Sequence, residues 1–307
     1  MKLFYYKDSL GNFGDDLNPW IFYQLTPSMF DGQGDYLVGI GTLINSRAPA
    51  DGFKRVFGAG VGYHQPAKLN GDWDFLFVRG PLSAQALNLP EDRGITDPAI
   101  LLANMVPRCE QRDLISFMPH QVSAFNGDWR GICKQLGITY LDPAGEIHEN
   151  LQLINRSKLV LADAMHAAIV ADAMRVPWVP IKAYGHILDF KWQDWCQSLG
   201  MSYQPQVLPE YWTLDEFLPP MTRRKSALKR GLMSMGFSGA GWTLPQPPSN
   251  RAQLEPVILE HMARLAKGDA ACLSDDRWHT RRRDEVWAQL EALLKRERPH
   301  AVMPSSI

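Results

Sequence analysis

Residues 158–174 read KLVLADAMHAAIVADAM, and this stretch decides the fold. The apolar run at residues 159–161 has the character of a buried strand, and it ends close to Asp163. From His166 onward, small apolar side chains recur at the spacing of a helix that packs closely on a sheet. A buried strand that passes directly into such a helix is the unit of a parallel α/β sheet.

The same alternation extends through the first two-thirds of the chain. It predicts an α/β protein with two Rossmann-like lobes, whose parallel sheets face a cleft. We place the N-terminal lobe at residues 1–105, the C-terminal lobe at 106–220, and a basic segment, a loop and a helical extension at 221–307. Strands are predicted at residues 3–6, 36–40, 55–57, 75–78, 115–118, 139–141, 159–161 and 176–181. Helices are predicted at residues 17–24, 82–87, 129–136, 147–154, 166–174, 254–266 and 283–295.

Composition excludes several classes of protein. The 307 residues carry a formal net charge of −1, which gives no reason to expect nucleic acid as a partner. The four cysteines form no CxxC pair, so they predict neither a zinc site nor a redox dithiol. No apolar stretch is long enough to cross a bilayer, and the first apolar run is too short for a signal peptide. We therefore expect a cytoplasmic protein.

Two residues at strand ends are the strongest candidates for chemistry. Arg79 stands before a predicted helix start, where its guanidinium would bind a carboxylate or phosphate. The alternative is a salt bridge between the lobes. His166 lies in the first turn of its helix, where its proton can reach a ligand, although a structural role is equally open. Asp163 would cap that helix or orient the imidazole. We expect Arg79 and His166 to face each other across the cleft.

The loop after the first strand supplies further candidates. Its glycines, among them Gly14, allow close backbone approach to a ligand. Either Asp15 or Asp16 would cap a helix beginning near residue 17, and the other would then face the cleft. The alternative is a plain helix cap. We assign Asp15 a catalytic role, and Asn12, Gly14 and Asp16 a substrate-binding role.

The remaining candidates also follow strands, and each has a plain structural alternative as a turn or a solvated surface residue. Gly60 lies in a glycine-rich turn that does not match the dinucleotide-binding pattern. Asp97 precedes a proline and could form a turn, orient an arginine or accept a sugar hydroxyl. No motif predicts a metal site. The residues assigned to substrate binding here are Gly60, Ser83, Asp97, Lys182, Tyr184 and His186.

Five ordered segments together resemble the polysaccharide pyruvyl transferase family: residues 12–18, 58–62, 78–83, 96–99 and 165–171. The resemblance is greatest to the succinoglycan and xanthan type. It implies a fold similar to that of two-lobed GT-B glycosyltransferases, phosphoenolpyruvate as donor, and a sugar of an often lipid-linked exopolysaccharide repeat as acceptor. It implies no metal or nucleotide cofactor. Many members carry Arg two positions before the helix-start His. Here that position is Ala164, so Lys182, Arg156 or Lys191 would supply the second cation.

The working hypothesis is transfer of a pyruvyl group from phosphoenolpyruvate to a sugar, with formation of a ketal and release of phosphate. His166 would be the general acid or a phosphate binder, and Arg79 the main anion clamp. Asp15 or Asp97 would position or deprotonate the sugar hydroxyl. Variants without the His166 or Arg79 side chain are expected to fold and to lose turnover. The alternatives are a GT-B-type glycosyltransferase using a nucleotide sugar, and a non-catalytic sugar-binding subunit of a polysaccharide assembly complex.

Residues 222–230 form a basic stretch with interleaved apolar residues. One interpretation is peripheral contact with anionic lipids at the cytoplasmic face of the inner membrane, near a lipid-linked acceptor. The alternative is a solvated helix face. The basic side chains are Arg223, Arg224, Lys225, Lys229 and Arg230.

Overall fold

The computed structural model describes residues 1–62, 67–237 and 245–297. Its N-terminal sheet has four parallel strands that lie side by side in chain order. These are β1 (Lys2–Phe4), β2 (Tyr36–Val38), β3 (Lys54–Phe57) and β4 (Trp73–Phe77). Helix α1 (Phe13–Leu25) follows β1, and α2 (Pro81–Ala86) follows β4. The carboxyl ends of all four strands therefore meet at one edge of the sheet.

The C-terminal sheet has five parallel strands in the order β6-β5-β7-β8-β9. The order reverses beside β5, because β6 lies on one side of it and β7 on the other. Such a reversal opens a crevice beyond the carboxyl ends of the two strands that flank it. The strands are β5 (Leu114–Met118), β6 (Thr139–Tyr140), β7 (Ser157–Ala162), β8 (Trp178–Lys182) and β9 (Gln206–Val207).

Helices cover both sheets, and helices of the two lobes pack together in one hydrophobic core. A 3-10 turn (Pro98–Leu101) and α3 (Leu102–Met105) lead from the first sheet to the second. Leu17 of α1 and Val170 of α7 are fully buried in the same hydrophobic cluster, so the core is continuous across the lobes. The helices of the second sheet are α4 (Gln121–Asn126), α5 (Trp129–Leu136), α6 (Ile147–Asn155), α7 (Met165–Ala173) and α8 (Asp189–Ser198).

Three helices complete the chain: α9 (Pro220–Ser234), α10 (Arg251–Leu265) and α11 (Asp276–Glu297). Helix α10 packs into the second lobe, in the same cluster as α5. Helix α11 returns to the first lobe, where Arg296 pairs with Asp74 at 2.8 Å and Glu297 pairs with Arg55 at 2.9 Å. No helix in the described part of the chain is long and apolar enough to span a membrane.

The predicted fold class is confirmed: two parallel sheets, each covered by helices, and a helical C-terminal extension. Helix α5 has the predicted bounds, and every predicted strand is present within a few residues. Strand β9 and helices α3, α4, α8 and α9 were not predicted as elements. In α8 and at its C-cap, buried Trp192, Trp195, Cys196 and Leu199 recur at helical spacing, so the signal for this helix was present in the sequence.

Candidate functional site

A cavity of about 240 Å³ lies at the crevice that the strand order defines. Its walls come from the loops after β1, β2, β5 and β7, together with the start of α8. Carboxyl-end loops of both sheets thus surround one space, which is where ligands of open parallel sheets bind. The polar side chains in its wall are Asn12, Asp15, Thr42, Asn45, Arg47, His120, Gln121, His166 and Lys191.

Asn12, rather than an aspartate, caps helix α1. Its Oδ1 accepts the N–H of Gly14 at 3.1 Å, and the carboxylate of Asp16 accepts the N–H of Asn12 at 3.1 Å. The prediction that Asp15 or Asp16 caps a helix beginning near residue 17 is therefore wrong, because this reciprocal cap starts the helix at Phe13. Since Asp16 serves the cap, the second carboxylate, that of Asp15, lines the cavity.

Three hydrogen bonds hold this first loop against the second lobe. Nδ2 of Asn12 donates to Oε1 of Gln121 at 3.2 Å, and Nε2 of Gln121 donates to the carbonyl of Gly11 at 2.7 Å. The N–H of Phe13 donates to the carbonyl of Pro143 at 2.7 Å. The start of α1 is thereby fixed against the loop after β5, which sets the width of the cavity on this side.

His166 enters the cavity from the first turn of α7, between Gly14 and Asp97. A Cβ atom at Gly14 would lie 2.0 Å from Nδ1 of His166, so a side chain at residue 14 would displace the imidazole. Nε2 lies 3.6 Å from Oδ2 of Asp97. Both atoms are buried, and neither makes a hydrogen bond within the described ranges. The nearby carboxylate favours a proton on Nε2.

Two buried aspartates support this arrangement from outside the cavity. Oδ1 of Asp97 accepts the N–H of Ala99 at 3.0 Å and so caps the 3-10 turn, while its Oδ2 faces His166. Asp163 neither caps α7 nor orients the imidazole. Its oxygens accept the N–H groups of His120 at 2.8 Å and Ala183 at 3.0 Å, which ties together the loops after β5, β7 and β8.

Two groups in the cavity titrate near neutral pH. Burial raises the pKa of the Asp15 carboxyl to about 6, although the charges of His166 and Lys191 oppose the rise. Burial lowers the pKa of the Lys191 ammonium to about 7; the charge of Arg79 adds to the shift, and Asp15 and Asp97 oppose it. A proton donor or acceptor works best when its pKa lies near the working pH, so this pair is suited to acid–base chemistry.

His120 contributes a neutral donor to the same wall. Its Nδ1 accepts the N–H of Val122 at 3.2 Å, which places the ring proton on Nε2. Burial lowers the pKa of His120 to about 3, and the positive charge of Lys191 lowers it further. The imidazole can therefore donate a hydrogen bond to an anion without carrying a charge of its own.

Arg79 is fully buried and lies outside the cavity. Its Nε donates to Asp194 at 3.0 Å, Nη1 to Oγ1 of Thr42 at 3.3 Å and Nη2 to the carbonyl of Val61 at 3.0 Å. The expectation that it faces His166 across an open cleft is wrong. The alternative, a salt bridge between the lobes, is what the structure shows. Because Thr42 lines the cavity, Arg79 supports that wall from behind.

Asp194 accounts for two further predicted residues. Its oxygens accept the N–H of Ser83 at 2.9 Å and the hydroxyl of Ser83 at 2.5 Å. A Cβ atom at Gly60 would lie 2.4 Å from Cζ of Arg79, so glycine makes room for the guanidinium. Ser83 and Gly60 thus serve the buried ion pair, and the structure does not bring either of them to the cavity.

Three predicted residues after β8 lie beside the cavity rather than in its wall. Nζ of Lys182 donates to both carboxylate oxygens of Asp189 at 2.7 Å. Tyr184 is buried, and its hydroxyl donates to the carbonyl of Tyr211. His186 stacks on the Tyr184 ring with centroids 5.5 Å apart. Tyr184, assigned to substrate binding from the sequence, is therefore part of the core.

Of the three cations proposed to replace the arginine missing at Ala164, Lys191 is the one that lines the cavity. Of the other two candidates, Lys182 is bound by Asp189, and exposed Arg156 pairs with Asp113 at 3.1 Å near the amino ends of β5 and β7. Arg156 thus lies at the edge of the sheet opposite the crevice. Among residues 1–62, 67–237 and 245–297, no group of three or more His, Cys, Asp or Glu side chains is arranged to hold a metal ion.

The fold and the cavity define a two-lobed α/β protein with a polar cavity where the lobes meet. The profile of the polysaccharide pyruvyl transferase family matches residues 52–183. The succinoglycan biosynthesis protein ExoV of Rhizobium meliloti (strain 1021) is 40% identical over 262 residues, which are 83% of this chain and 79% of that protein. The chain therefore belongs to the polysaccharide pyruvyl transferase family. No solved structure matches it.

Proposed function

We propose that this protein transfers the pyruvyl group of phosphoenolpyruvate to two hydroxyls of one sugar in an exopolysaccharide repeat unit. The products are a pyruvate ketal and phosphate. One observation carries the proposal: in a chain of this family, Asp15, His166 and Lys191 converge on one small cavity between the lobes. The similarity to a succinoglycan biosynthesis protein supports an exopolysaccharide sugar, free or lipid-linked, as acceptor.

The chemistry requires proton transfer and fixed positive charge, both of which these residues can supply. The methylene carbon of phosphoenolpyruvate takes up a proton and becomes a methyl group, which makes the neighbouring carbon electrophilic. One sugar hydroxyl bonds to that carbon, and a second hydroxyl bonds there as the bond to the phosphate oxygen breaks. One hydroxyl proton replaces the proton taken up by the methylene, and the other leaves with phosphate. The reaction balances without a cofactor.

The size and polarity of the cavity favour a small anionic donor. A volume of about 240 Å³ lies below the roughly 300–1,000 Å³ of pockets that hold drug-sized ligands. The ammonium of Lys191 and the Nε2–H of His120 would bind the carboxylate and the phosphate, where donors in a partly buried site act strongly.

His166 and Asp15 divide the proton transfers between them. His166, whose imidazolium form the Asp97 carboxylate 3.6 Å away would stabilise, would deliver a proton to the methylene carbon. Asp15, with a pKa of about 6, is mostly ionised at neutral pH and would take a proton from the attacking hydroxyl. The two groups come from opposite lobes, so the cavity forms a complete acid–base pair only where the lobes meet.

The acceptor would bind at Tyr6 and Arg47, which also line the cavity. Tyr6 is 43% exposed, and the guanidinium of Arg47 lies 5.2 Å from the centre of its ring. An exposed aromatic face with a polar group beside it suits the apolar face and the hydroxyls of a sugar ring. This pair would take the substrate-binding role that the sequence analysis assigned to Tyr184.

A Lys191→Met variant is expected to bind phosphoenolpyruvate about tenfold to a hundredfold more weakly, because a hydrogen bond to a charged group contributes about 1.5–3 kcal/mol. Binding of the parent should also weaken as the pH rises through about 7, since the ammonium then loses its proton. Titration calorimetry from acid to alkaline pH measures both effects. The variant should lose this pH dependence.

Lys182→Met is the matched control, because it removes the same charge from a lysine that Asp189 holds outside the cavity. The control should bind the donor almost as the parent does. A larger loss of affinity in the Lys182 variant than in the Lys191 variant would contradict the assignment and return the cation role to Lys182.

A Tyr6→Ala variant should raise the KM for the sugar acceptor about tenfold, the effect of losing about 1–1.5 kcal/mol of contact with an aromatic ring. Its affinity for phosphoenolpyruvate should not change, because Lys191 and His120 lie elsewhere in the wall. Initial rates at varied acceptor concentration, with donor affinity measured separately, test this. An unchanged acceptor KM would place the sugar elsewhere.

Thermal shifts with candidate donors test the proposed function as a whole. A ligand that binds only the folded state raises the melting temperature. Phosphoenolpyruvate should raise it, while uridine diphosphate and nucleotide sugars should not. Acceptor-dependent release of phosphate from phosphoenolpyruvate would then separate an enzyme from a sugar-binding subunit. Stabilisation by a nucleotide sugar alone would favour the glycosyltransferase.

A further inference from the structure

Helix α9 differs from the other helices of this chain in charge and exposure. Its fifteen residues include five basic side chains and no acidic one, and none of its residues is buried. A helix with so little contact gains little from packing on its own protein. The positive charge of this helix does not contribute to the core, and it is accessible to a binding partner.

Three apolar residues of α9 and its C-cap residue Met235 form one stripe. Met221, Leu228, Leu232 and Met235 follow at intervals of seven, four and three residues, which places them along a single face of a helix. Three of them are strongly exposed: Met221 at 65%, Leu228 at 67% and Met235 at 67%. By the same helical spacing, Arg224 and Lys225 flank the stripe on its two sides.

The opposite face of α9 is bound to the body of the protein. Arg223 donates to the carbonyl of Glu216 at 2.7 Å, and Arg230 donates to the carbonyl of Gln246. These two arginines lie on the side of the helix away from the stripe. The helix is therefore held with its apolar stripe and flanking cations turned outward.

We propose that α9 binds the surface of an anionic phospholipid bilayer, with its stripe inserted among the acyl chains and its cations on the headgroup phosphates. A helix with a narrow apolar face flanked by basic residues has the composition of an interfacial anchor. The occupant is a lipid surface because the face combines exposed apolar side chains with positive charge only. The exposed side chains of Phe217 and Phe237 extend the apolar surface at both ends.

The position of α9 links lipid binding to the cavity. The N–H of Thr213, seven residues before α9, donates to the carbonyl of Asn126 at 2.7 Å, at the end of α4. Helix α4 begins at Gln121, which lines the cavity, and it exposes Val122 at 47% and Phe125 at 50%. The segment that leads into α9 is thus joined to the cavity wall through α4.

Flotation of the full-length protein with vesicles tests the proposal. Vesicles of equal parts phosphatidylglycerol and phosphatidylcholine should bind the parent, and pure phosphatidylcholine vesicles should not. An Arg224→Glu/Lys225→Glu variant should bind at least about thirtyfold more weakly, since each cation near an anionic surface contributes about a fivefold factor. A Leu228→Ser/Met235→Ser variant should also bind more weakly, with its net charge unchanged.

The matched control is Lys134→Glu/Lys158→Glu, which makes the same change of net charge at two exposed residues outside α9. It should bind anionic vesicles much as the parent does, and all variants should keep the parent's turnover on a soluble acceptor. Equal binding by the α9 charge variant and this control would overturn the proposal. So would α9-dependent dimers in light scattering without vesicles. Neither assay uses donor or acceptor, so this inference can fail while the proposed function stands.

Discussion

A His166→Gln variant is expected to fold like the parent and to lose about 10²–10⁴-fold in turnover, the usual contribution of a positioned acid or base. The imidazole is only 14% exposed, and its Nε2 faces Asp97. Glutamine offers hydrogen bonds of similar reach, but it cannot give up a proton near neutral pH. Phosphate release with saturating acceptor measures the loss, and thermal melting shows whether the fold is kept.

His148→Gln is the control for this variant. His148 lies exposed on α6, where its ring contacts Gln152 at 2.8 Å, so the same substitution there should leave turnover unchanged. If His166→Gln keeps most of the parent's turnover but binds phosphoenolpyruvate weakly, then His166 binds phosphate and does not transfer the proton. In that case Asp15 would be the remaining acid in the cavity.

Much of the fold could be predicted because its signals are local. Each strand is a short apolar run. The βα unit at residues 158–174 shows the apolar run of a strand and the spacing of a helix within one stretch of sequence. The positions of His166 and Asp15 followed from the same logic, since residues at the carboxyl ends of parallel strands share one edge. One of the two adjacent aspartates, Asp15, lines the cavity as expected, although Asn12 and not an aspartate caps the helix.

The rest depends on contacts between distant parts of the chain. Arg79 stands at a strand end as a ligand-binding arginine would, but Asp194, 115 residues away, binds it inside the protein. Lys191 reaches the cavity from α8, a helix that was not predicted from the sequence. A signal was available, because the start of a helix after β8 must also lie at the carboxyl edge of the sheet. Neither the burial of Arg79 nor the exposure of α9 can be read from periodicity.

An Arg79→Met variant is expected to lose about 3–5 kcal/mol of unfolding free energy, the cost of leaving a buried charge without its partner. The guanidinium and the Asp194 carboxylate are both fully buried and 3.0 Å apart. The burial of this ion pair thus leads to a prediction opposite to the expectation from sequence that such a variant folds normally. Urea unfolding measures the change, and Arg93→Met, at an exposed arginine near β4, is the control.

The double variant Arg79→Met/Asp194→Asn separates the structural role of the arginine from a catalytic one. It removes both charges and keeps an oxygen that can accept the N–H of Ser83. The double variant should therefore lose much less unfolding free energy than the sum of the losses in the two single variants.

The charge of Arg79 lowers the pKa of Lys191, so without Arg79 the pH at which donor binding weakens should be higher than in the parent. We expect the stable double variant to retain turnover, since the guanidinium lies behind Thr42 and does not line the cavity. A stable double variant with no turnover would show instead that the ion pair opens in the working enzyme and gives Arg79 to the substrate.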